Sequence, residues 1–236
     1  MNRGISADAA DAWNREYVRQ GIPSSHRDEP SGVLRWTLNN IHFICSDEIT
    51  SAVDLGCGTG RNALALADSG IARVDAMDFS VAALDVASQR PGADKVTFVQ
   101  GDVTKPLPFE DDTYDLATDI FVYFHQLADQ DRVHYRNEIA RILRPGATLV
   151  VSLATNGDGY YGGCDIGPLV NIQSSLRLTW DPVAEVGNIL PSLDELIGEF
   201  SDHFDLQMVW MKRKPGIMHG KSYGRETAAT LWTSKA

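Results

Sequence analysis

The most informative stretch of the sequence is Val53-Asp54-Leu55-Gly56-Cys57-Gly58-Thr59-Gly60, in which an apolar run passes directly into three alternating glycines. The apolar run predicts a buried strand, and residues 62–69 are compatible with a helix. Glycine at such a turn lets the backbone bend sharply and lets a ligand approach main-chain atoms that a Cβ would shield. The pyrophosphate pattern of dinucleotide-binding proteins needs its third glycine one position later, at Arg61, so the spacing disfavours that kind of site.

Two carboxylates follow at the ends of the next two predicted strands. Asp78 lies 20 residues beyond Gly58, where a carboxylate can accept hydrogen bonds from both hydroxyls of a ribose. Asp102, in Gln100-Gly101-Asp102-Val103, can accept a hydrogen bond from an adenine amino group. Each acid alone is also compatible with a turn or cap residue. Together with the glycines, on successive strand ends, the two acids predict a nucleoside ligand.

Predicted strands and helices alternate through the first two thirds of the chain. Apolar runs bounded by turn residues predict strands at 52–55, 74–77, 96–99, 114–117 and 148–153. Helix-compatible stretches lie at 62–69, 81–89 and 130–143, the last of which is followed by Arg144-Pro145-Gly146 as a stop signal. This alternation predicts an α/β fold with a parallel sheet.

The last third of the chain departs from that alternation. Residues 156–163 are glycine-rich and no clean period follows up to Leu190, which predicts a long functional loop or insertion. Ser192 and Glu195 form a predicted capping box at the start of a helix. Two further strands are predicted, at Phe204 to Met211 and Glu226 to Thr233.

These motifs resemble those of the class I S-adenosylmethionine-dependent methyltransferases over about residues 50 to 155. The residues that carry the resemblance are Asp54, Gly56, Gly58 and Gly60 in the first motif, Asp78 as the ribose acid, Asp102 as the adenine-contacting acid, and Leu143-Arg144-Pro145-Gly146 before the fifth strand. The sequence departs from the family at Ala147, where many members have a second glycine. The substitution lies in a turn and leaves the ligand motifs intact.

The resemblance implies a doubly wound, Rossmann-like sheet of seven mostly parallel strands whose last strand is reversed. It implies S-adenosylmethionine as cofactor, with Gly56 against the methionine moiety, Phe79 beside the adenine and main-chain contacts from Val103. We therefore expect a single methyltransferase domain over 1–236. Its expected parts are a helical cover at 1–45, a cofactor-binding core at 46–155, a substrate insertion with a helix at 156–203 and terminal strands at 204–236.

Two residues after the fourth predicted strand are candidates for the chemistry, because ligands of such sheets lie outside the carboxyl ends of the strands. His125 is the candidate general base, and its alternative is a hydrogen bond within the loop. Asp119 is a candidate to orient the ammonium group of the cofactor, or is simply a strand-end residue. Methyl transfer needs no metal, and no metal site is predicted.

The amino-terminal segment is predicted to cover the cofactor. Trp13 and Tyr17 are four residues apart and share one helical face, and Gly21-Ile22-Pro23-Ser24-Ser25 follows them. The same spacing also suits plain packing onto the core. A cover would exclude water and restrict the acceptor to a small molecule.

A basic segment between the last two predicted strands, Lys212 to Arg225, carries five positive charges and no acid, in a chain whose net charge is −11. We predict that this segment is a loop at the ligand face in which His219, Lys221 and Arg225 bind an anionic acceptor; the alternative is a solvated basic loop. Tyr160 and Tyr161 follow the fifth strand and are predicted either to line the acceptor pocket or to anchor the loop.

The composition limits the remaining possibilities. A net charge of −11 disfavours a nucleic-acid partner. The chain has no long apolar segment and its start lacks the apolar run of a signal peptide, so we predict a cytoplasmic protein without a membrane partner. The predicted function is methyl transfer to a small-molecule acceptor on oxygen or nitrogen. The alternatives are a protein or other macromolecular acceptor, and a non-catalytic protein that binds S-adenosylmethionine.

Overall fold

The computed structural model describes residues 5–19, 27–44, 48–164 and 172–235. It contains six α-helices within these ranges: α1 Ile5–Arg19, α2 Gly32–Ile44, α3 Arg61–Asp68, α4 Val81–Ser88, α5 Asp129–Ile142 and α6 Leu193–Phe200. It contains nine strands: β1 Ser51–Leu55, β2 Arg73–Asp78, β3 Thr97–Gln100, β4 Tyr114–Ile120, β5 Leu143–Ala154, β6 Leu178–Asp181, β7 Val186–Ile189, β8 Phe204–Met218 and β9 Lys221–Ser234. The segment 21–25, predicted to continue the cover, falls outside the described residues.

Seven strands form the main sheet in the order β3-β2-β1-β4-β5-β9-β8. Strands β1 to β5 are parallel, and β9 is antiparallel to both β5 and β8. Strand β8 therefore runs in the same direction as β5, and β9 is the one reversed strand of this sheet. The predicted fold class, seven mostly parallel strands with a reversed last strand, is confirmed.

The central strands are buried because helices cover the sheet. All five residues of β1 are buried, as are the last five of β2, which explains why both read as continuous apolar runs in the sequence. One core cluster includes Tyr135 and Ile139 of α5, and a second includes Leu34 of α2 and Leu66 of α3.

The predicted insertion contains a small antiparallel sheet, which sequence periodicity did not reveal. Strands β6 and β7 pair Leu178 with Ile189 and Asp181 with Val186. The predicted capping box is present at the start of α6, where the Ser192 hydroxyl accepts from the Glu195 amide and the Glu195 carboxylate accepts from the Ser192 amide.

The prediction of a loop at 212–225 is wrong. Strands β8 and β9 continue through this segment as a hairpin that pairs Lys212 with Thr227 and Met218 with Lys221, and the turn is made by His219 and Gly220, both with positive φ. Pro215 is compatible with this hairpin because β8 is the edge of the sheet, the position to which prolines within sheets are largely confined. Ala154, the last residue of β5, pairs with Thr227, so the hairpin beyond this point extends past the ligand edge of the sheet.

Candidate active site

One cavity of about 750 Å³ opens at the carboxyl ends of the parallel strands. Its walls come from the turns after β1, β2, β3 and β4, from α1 and the start of α2, and from the β8–β9 hairpin. Ligand pockets in proteins typically measure about 300–1,000 Å³. The cavity thus has room for a nucleoside-sized ligand and a second small molecule.

The glycine-rich turn forms the floor of this cavity. Gly56 and Gly58 adopt φ values of +67° and +54°, in a region that residues other than glycine rarely occupy. A Cβ on Gly56 would collide with the side chain of Val122, and one on Gly58 would lie 2.6 Å from the Tyr17 hydroxyl. The turn is therefore a cradle that main-chain atoms line and that a side chain would fill.

Asp78 is buried beside this turn and lines the cavity. Its carboxylate accepts from the Gly58 amide at 2.8 Å and from the Ser80 amide at 2.9 Å. Burial raises the pKa of Asp78 to about 6, because desolvation penalises the charged form. At neutral pH the carboxylate is ionised and remains able to accept hydrogen bonds from a ligand.

Phe79, Asp102 and Val103 line the same side of the cavity. The Asp102 carboxylate accepts from the amide and the hydroxyl of Thr104, at 2.9 and 2.8 Å, which fixes the turn after β3. The acid that ends β2 and the acid that follows β3 thus face one space, as the order of the motifs predicted.

Helix α1 lies across this part of the cavity, with Trp13 and Tyr17 in its lining. The two rings are 5.9 Å apart. Asn14 joins the helix to the turn after β2, because its Oδ1 accepts from the Ser80 hydroxyl at 2.7 Å. Burial raises the pKa of Tyr17 well above its usual value, so its hydroxyl stays protonated.

His125 lines the cavity at the end of a short 3₁₀ turn, Tyr123–His125. Its Nδ1 lies 3.1 Å from the Gly187 carbonyl oxygen of β7. Since a carbonyl can only accept, this contact assigns the proton to Nδ1 and leaves Nε2 as an acceptor. The Trp13 ring meets the imidazole edge to face at 5.0 Å. Burial lowers the pKa of His125 to about 4, so the imidazole is neutral at physiological pH.

The loop that carries His125 is held by a buried arginine that the sequence reasoning missed. Arg132 of α5 is fully buried and donates to the carbonyls of Gln126 and Leu127 at 3.1 and 2.9 Å. Its charge is matched by Glu199, at 3.1 Å, and by Asp129. No motif marks Arg132, because its partners come from separate parts of the chain, residues 126–129 just before it and Glu199 of α6.

Three residues predicted to bind the cofactor lie outside the cavity lining. Asp54 is buried and accepts from the Thr118 hydroxyl at 2.6 Å, and burial raises its pKa to about 7. Gly60 faces the packing between α3 and its neighbours, since a Cβ there would lie 3.0 Å from Ala87. Asp119 is fully buried and accepts from the amides of Val122 and Tyr123 and from the Tyr135 hydroxyl.

These three residues lie outside the cavity and support the elements that form its walls. Asp119 fixes the chain after β4 through the amides of Val122 and Tyr123, which is the strand-end role that the sequence offered beside a contact with the cofactor ammonium. Asp54 bridges β1 and β4, which are neighbours in the sheet.

The two tyrosines after β5 separate in the structure. Tyr161 lines the cavity, whereas the Tyr160 hydroxyl donates to Asp181 at 2.8 Å and anchors the insertion. Asp158 organises both tyrosines, because its Oδ1 accepts from their two amides at 3.0 Å. Its other oxygen accepts from Arg225 Nε at 2.7 Å. Arg225 lines the cavity with its guanidinium 5.2 Å from the centre of the Tyr161 ring.

The other two residues of the predicted anion clamp do not line the cavity. His219 sits in the hairpin turn, 3.9 Å from the Asp181 carboxylate and 5.6 Å from the Tyr160 ring. Lys221 is exposed on the first position of β9. Both were expected at the ligand face because the segment was interpreted as a loop. In the hairpin, the part of the lining that comes from β8 ends at Met218, directly before the turn.

Cavity residues that no motif signalled include Arg61 at the first position of α3, Trp36 of α2 and Trp210 of β8. The Trp36 and Trp210 rings are 4.9 Å apart, although 174 positions separate them in the sequence. Lys212 and Lys214 also belong to the lining.

A family model described as a methyltransferase domain matches residues 52–146, the part of the chain that carries the glycine turn, Asp78, Asp102 and His125. This part of the chain is a methyltransferase domain, and its motifs are of the class I S-adenosylmethionine-dependent type. A demethylmenaquinone methyltransferase of Clavibacter sepedonicus is 40% identical to it over 100 residues, which are 42% of this chain and 39% of that protein. A cypemycin N-terminal methyltransferase of a Streptomyces species is 35% identical over 101 residues, 41% of this chain and 38% of that protein.

The chain thus spans about two fifths of the length of these curated relatives. A solved S-adenosylmethionine-dependent methyltransferase of Methanosarcina mazei shares the fold with a TM-score of 0.67 at 18% identity, over 88% of this chain and 99% of that one. The [4+2]-cyclase SpnF shares it with a TM-score of 0.59 at 16% identity, over 86% and 81%. The fold therefore extends beyond the matched motifs and hosts more than one reaction.

Proposed function

We propose that this protein transfers the methyl group of S-adenosylmethionine to a small-molecule acceptor, on oxygen or nitrogen, with His125 as general base. The observation that carries the proposal is that the glycine cradle, both strand-end acids and His125 with an accepting Nε2 all face one cavity. No helix in the described part of the chain is long and apolar enough to cross a bilayer.

The donor half of the proposal rests on Asp78, Asp102 and the glycine turn. Asp78 would accept from the ribose hydroxyls and the Asp102 turn would hold the adenine edge, with Phe79 against the ring. Gly56 would lie along the methionine part, and Arg61 would supply a cation for its carboxylate. Bound there, S-adenosylmethionine would supply a methyl group on a sulfonium, with S-adenosylhomocysteine as the leaving thioether.

The protein contributes mainly by orientation. Holding two reactants in line supplies about 7–11 kcal/mol of the barrier reduction. Trp13 and Tyr17 of α1 exclude water from the cofactor side, in the role of the cover predicted from the sequence. Such a cover favours an acceptor small enough to be enclosed.

His125 is placed to take the proton of a hydroxyl or protonated amine as the new bond to carbon forms. The Gly187 carbonyl holds its proton on Nδ1, so Nε2 alone is available. General base assistance of this kind is typically worth about 10²–10⁴-fold in rate. The imidazole is neutral because burial lowers its pKa to about 4, so Nε2 is unprotonated throughout the physiological range, while the same lowered pKa makes it a weaker base than a free histidine.

A small-molecule acceptor is also supported by the relatives, whose names refer to demethylmenaquinone and to the N-terminus of cypemycin. A cytoplasmic location and the absence of a nucleic-acid partner stay predictions from the sequence.

The deciding experiment has two parts. Calorimetry of the purified protein with S-adenosylhomocysteine tests the donor site, and we expect saturable binding at one site per chain. Mass spectrometry of a metabolite extract incubated with the protein and deuterated-methyl S-adenosylmethionine then reveals the acceptor as a labelled product. Binding without any labelled product, against metabolite, peptide and protein extracts, would favour a non-catalytic role or another reaction on this fold.

A further inference from the structure

Three cationic side chains of the β8–β9 hairpin line the cavity: Lys212, Lys214 and Arg225. Alternate residues of β8 that line the cavity include Trp210, Lys212 and Lys214, and their partners on β9 are Ala229, Thr227 and Arg225. Side chains on alternate positions of a strand share one face, and paired residues of adjacent strands point to the same side. Lys214 and Arg225 therefore face each other directly with charges of the same sign.

The two arginines of the hairpin, unlike the two lysines, have acidic partners. Arg213 on the opposite face is paired across the strands with Glu226 and forms an ion pair with it. Arg225 forms an ion pair with Asp158. Within the part of the chain that the structure describes, neither Lys212 nor Lys214 has an acidic partner within 4.0 Å. The charge of Arg225, which lies opposite Lys214, is balanced by Asp158, so Lys212 and Lys214 are the cations of this face without an acidic partner in the described residues. Two unbalanced ammonium groups on one face of a strand point to a need for an anion at the cavity.

The residues around the two lysines indicate the chemical character of the molecule that carries the anionic group. Trp210 precedes them on the same face of β8 and packs against Trp36 at 4.9 Å, and Met218 follows them toward the hairpin tip. Two residues of a strand on one face are about 7 Å apart, so both ammonium groups reach a single carboxylate or phosphate. The lining beside them is aromatic and aliphatic.

We propose that Lys212 and Lys214 form the binding site for an anionic group of the acceptor, and that the acceptor is an amphipathic molecule with a large apolar body. The identification of the ligand as the methyl acceptor rests on the proposed function. The anion site itself depends only on the hairpin. It replaces the clamp predicted at His219 and Lys221, which lie outside the lining. The charge distribution supports it, since residues 212–225 carry five positive charges and the rest of the chain carries −16, given a total of −11.

The test uses a pair of fluorescent probes that differ in one charge. 8-Anilinonaphthalene-1-sulfonate has an aromatic body with a sulfonate, and N-phenyl-1-naphthylamine has the same body without it. Each is titrated against the full chain saturated with S-adenosylhomocysteine, in the native protein and in the double variant Lys212→Gln/Lys214→Gln. Hydrogen bonds to charged groups contribute about 1.5–3 kcal/mol, so we expect the double variant to bind the sulfonate at least about tenfold more weakly. Binding of the neutral probe should be unchanged.

The matched control is Lys221→Gln, which makes the same charge change on the same hairpin outside the cavity lining. Sulfonate affinity that is equal in the native protein and the double variant overturns the inference, as does an equal loss for both probes or an equal loss in Lys221→Gln. Displacement of the sulfonate probe by dodecanoate or dodecyl phosphate, and not by dodecyltrimethylammonium, supports it. The anion that displaces at the lower concentration identifies the preferred group.

The two proposals fail separately. If calorimetry detects no binding of S-adenosylhomocysteine, the proposed methyl transfer is contradicted, and a lysine-dependent sulfonate site found in probe titrations without that ligand still supports the anion site. If S-adenosylhomocysteine binds and the lysines do not affect the sulfonate probe, the donor half of the proposed function stands and the anion site is wrong.

Discussion

At the scale of single residues, the protonation state of His125 decides what the site can do. The Gly187 carbonyl fixes the tautomer and burial keeps the imidazole neutral. Replacing His125 with Gln removes the proton acceptor, and we expect kcat to fall by about 10²–10⁴-fold for an acceptor that arrives protonated. Steady-state kinetics with the identified acceptor measure this change.

The control for that substitution is His42→Gln, an exposed histidine of α2, which should leave kcat unaltered. Calorimetry should show that both variants still bind S-adenosylhomocysteine. A His125→Gln variant with native kcat would show that the acceptor reaches the site already deprotonated.

Asp78 makes donor binding depend on pH. Burial raises its pKa to about 6, and only the ionised carboxylate can accept from both ribose hydroxyls while it holds the Gly58 and Ser80 amides. As the pH falls through 6 the proton competes with the ligand, and one unit below the pKa about a tenth of the carboxylate is ionised. We expect the affinity for S-adenosylhomocysteine at pH 5 to be about tenfold lower than at pH 7.5, as measured by calorimetry.

The Asp78→Asn variant tests whether Asp78 is the origin of this effect. It should bind more weakly at pH 7.5 and lose the dependence between pH 5 and 7.5. A variant that keeps the native pH profile would assign the titration to another group.

At the scale of elements, the turn after β1 and the loop after β4 are fitted to each other. A Cβ on Gly56 collides with Val122, so Gly56→Ala combines backbone strain with a displacement of the loop that carries His125. Gly92→Ala is the matched control, because Gly92 has a φ of +84° and its nearest neighbour, a Leu64 carbon, is 3.9 Å from the added Cβ. We expect the control to cost about 1–2 kcal/mol, the price of left-handed backbone, and Gly56→Ala to cost more in urea unfolding.

Trimming Val122 to alanine should partly restore the stability of Gly56→Ala, because it removes the atoms that overlap. Coupled substitutions at contacting residues commonly deviate from additivity by about 0.5–3 kcal/mol. Equal losses for Gly56→Ala and Gly92→Ala would mean that the loop yields without cost.

The link between α5 and the loop that carries His125 is also an element-scale property. Arg132 is fully buried and satisfies two carbonyls of the loop and two carboxylates. Removing one partner of a buried ion pair typically costs about 3–5 kcal/mol. We expect Arg132→Met to lose stability in this range in urea unfolding, whereas Arg35→Met, at an exposed pair with Glu29, should lose about 1 kcal/mol or less. Equal losses would contradict the role of Arg132.

At the scale of the whole molecule, α1 connects the cofactor side to the insertion. Asn14 accepts from the Ser80 hydroxyl next to Asp78, and Arg15 forms an ion pair with Glu185 in the β6–β7 turn at 2.7 Å. Ligand binding between these attachments should stabilise α1 against opening. We expect S-adenosylhomocysteine to slow hydrogen exchange of the α1 amides, measured by mass spectrometry.

Asn14→Ala should reduce that protection, since it cuts the attachment on the cofactor side. The exposed neighbour Val18 offers the control, and Val18→Ala should leave the protection intact. Unchanged exchange in α1 on saturation with S-adenosylhomocysteine would show that the helix is fixed packing and does not act as a cover.

The sequence by itself determined the class of fold and the donor side of the site. Strand ends, glycines and acids at Gly56, Gly58, Asp78 and Asp102 are local signals, because each depends on backbone geometry or on a side chain at a fixed step from a strand. Parallel strands bring their carboxyl ends to one edge, so the order of motifs along the chain was sufficient to predict that they meet.

Only the tertiary structure decided which residues complete the cavity and which lie behind it. Asp54 and Asp119 match local patterns, yet burial and hydrogen bonds to neighbouring elements commit them to the scaffold. The hairpin shows the same limit, since residues 212–225 are predicted as a loop from the sequence and Pro215 is accommodated in a strand because β8 is an edge. Side chains brought together over long sequence separations, such as His125 with Gly187 and Trp36 with Trp210, leave no periodic signal, because their contact is created by the packing of whole elements.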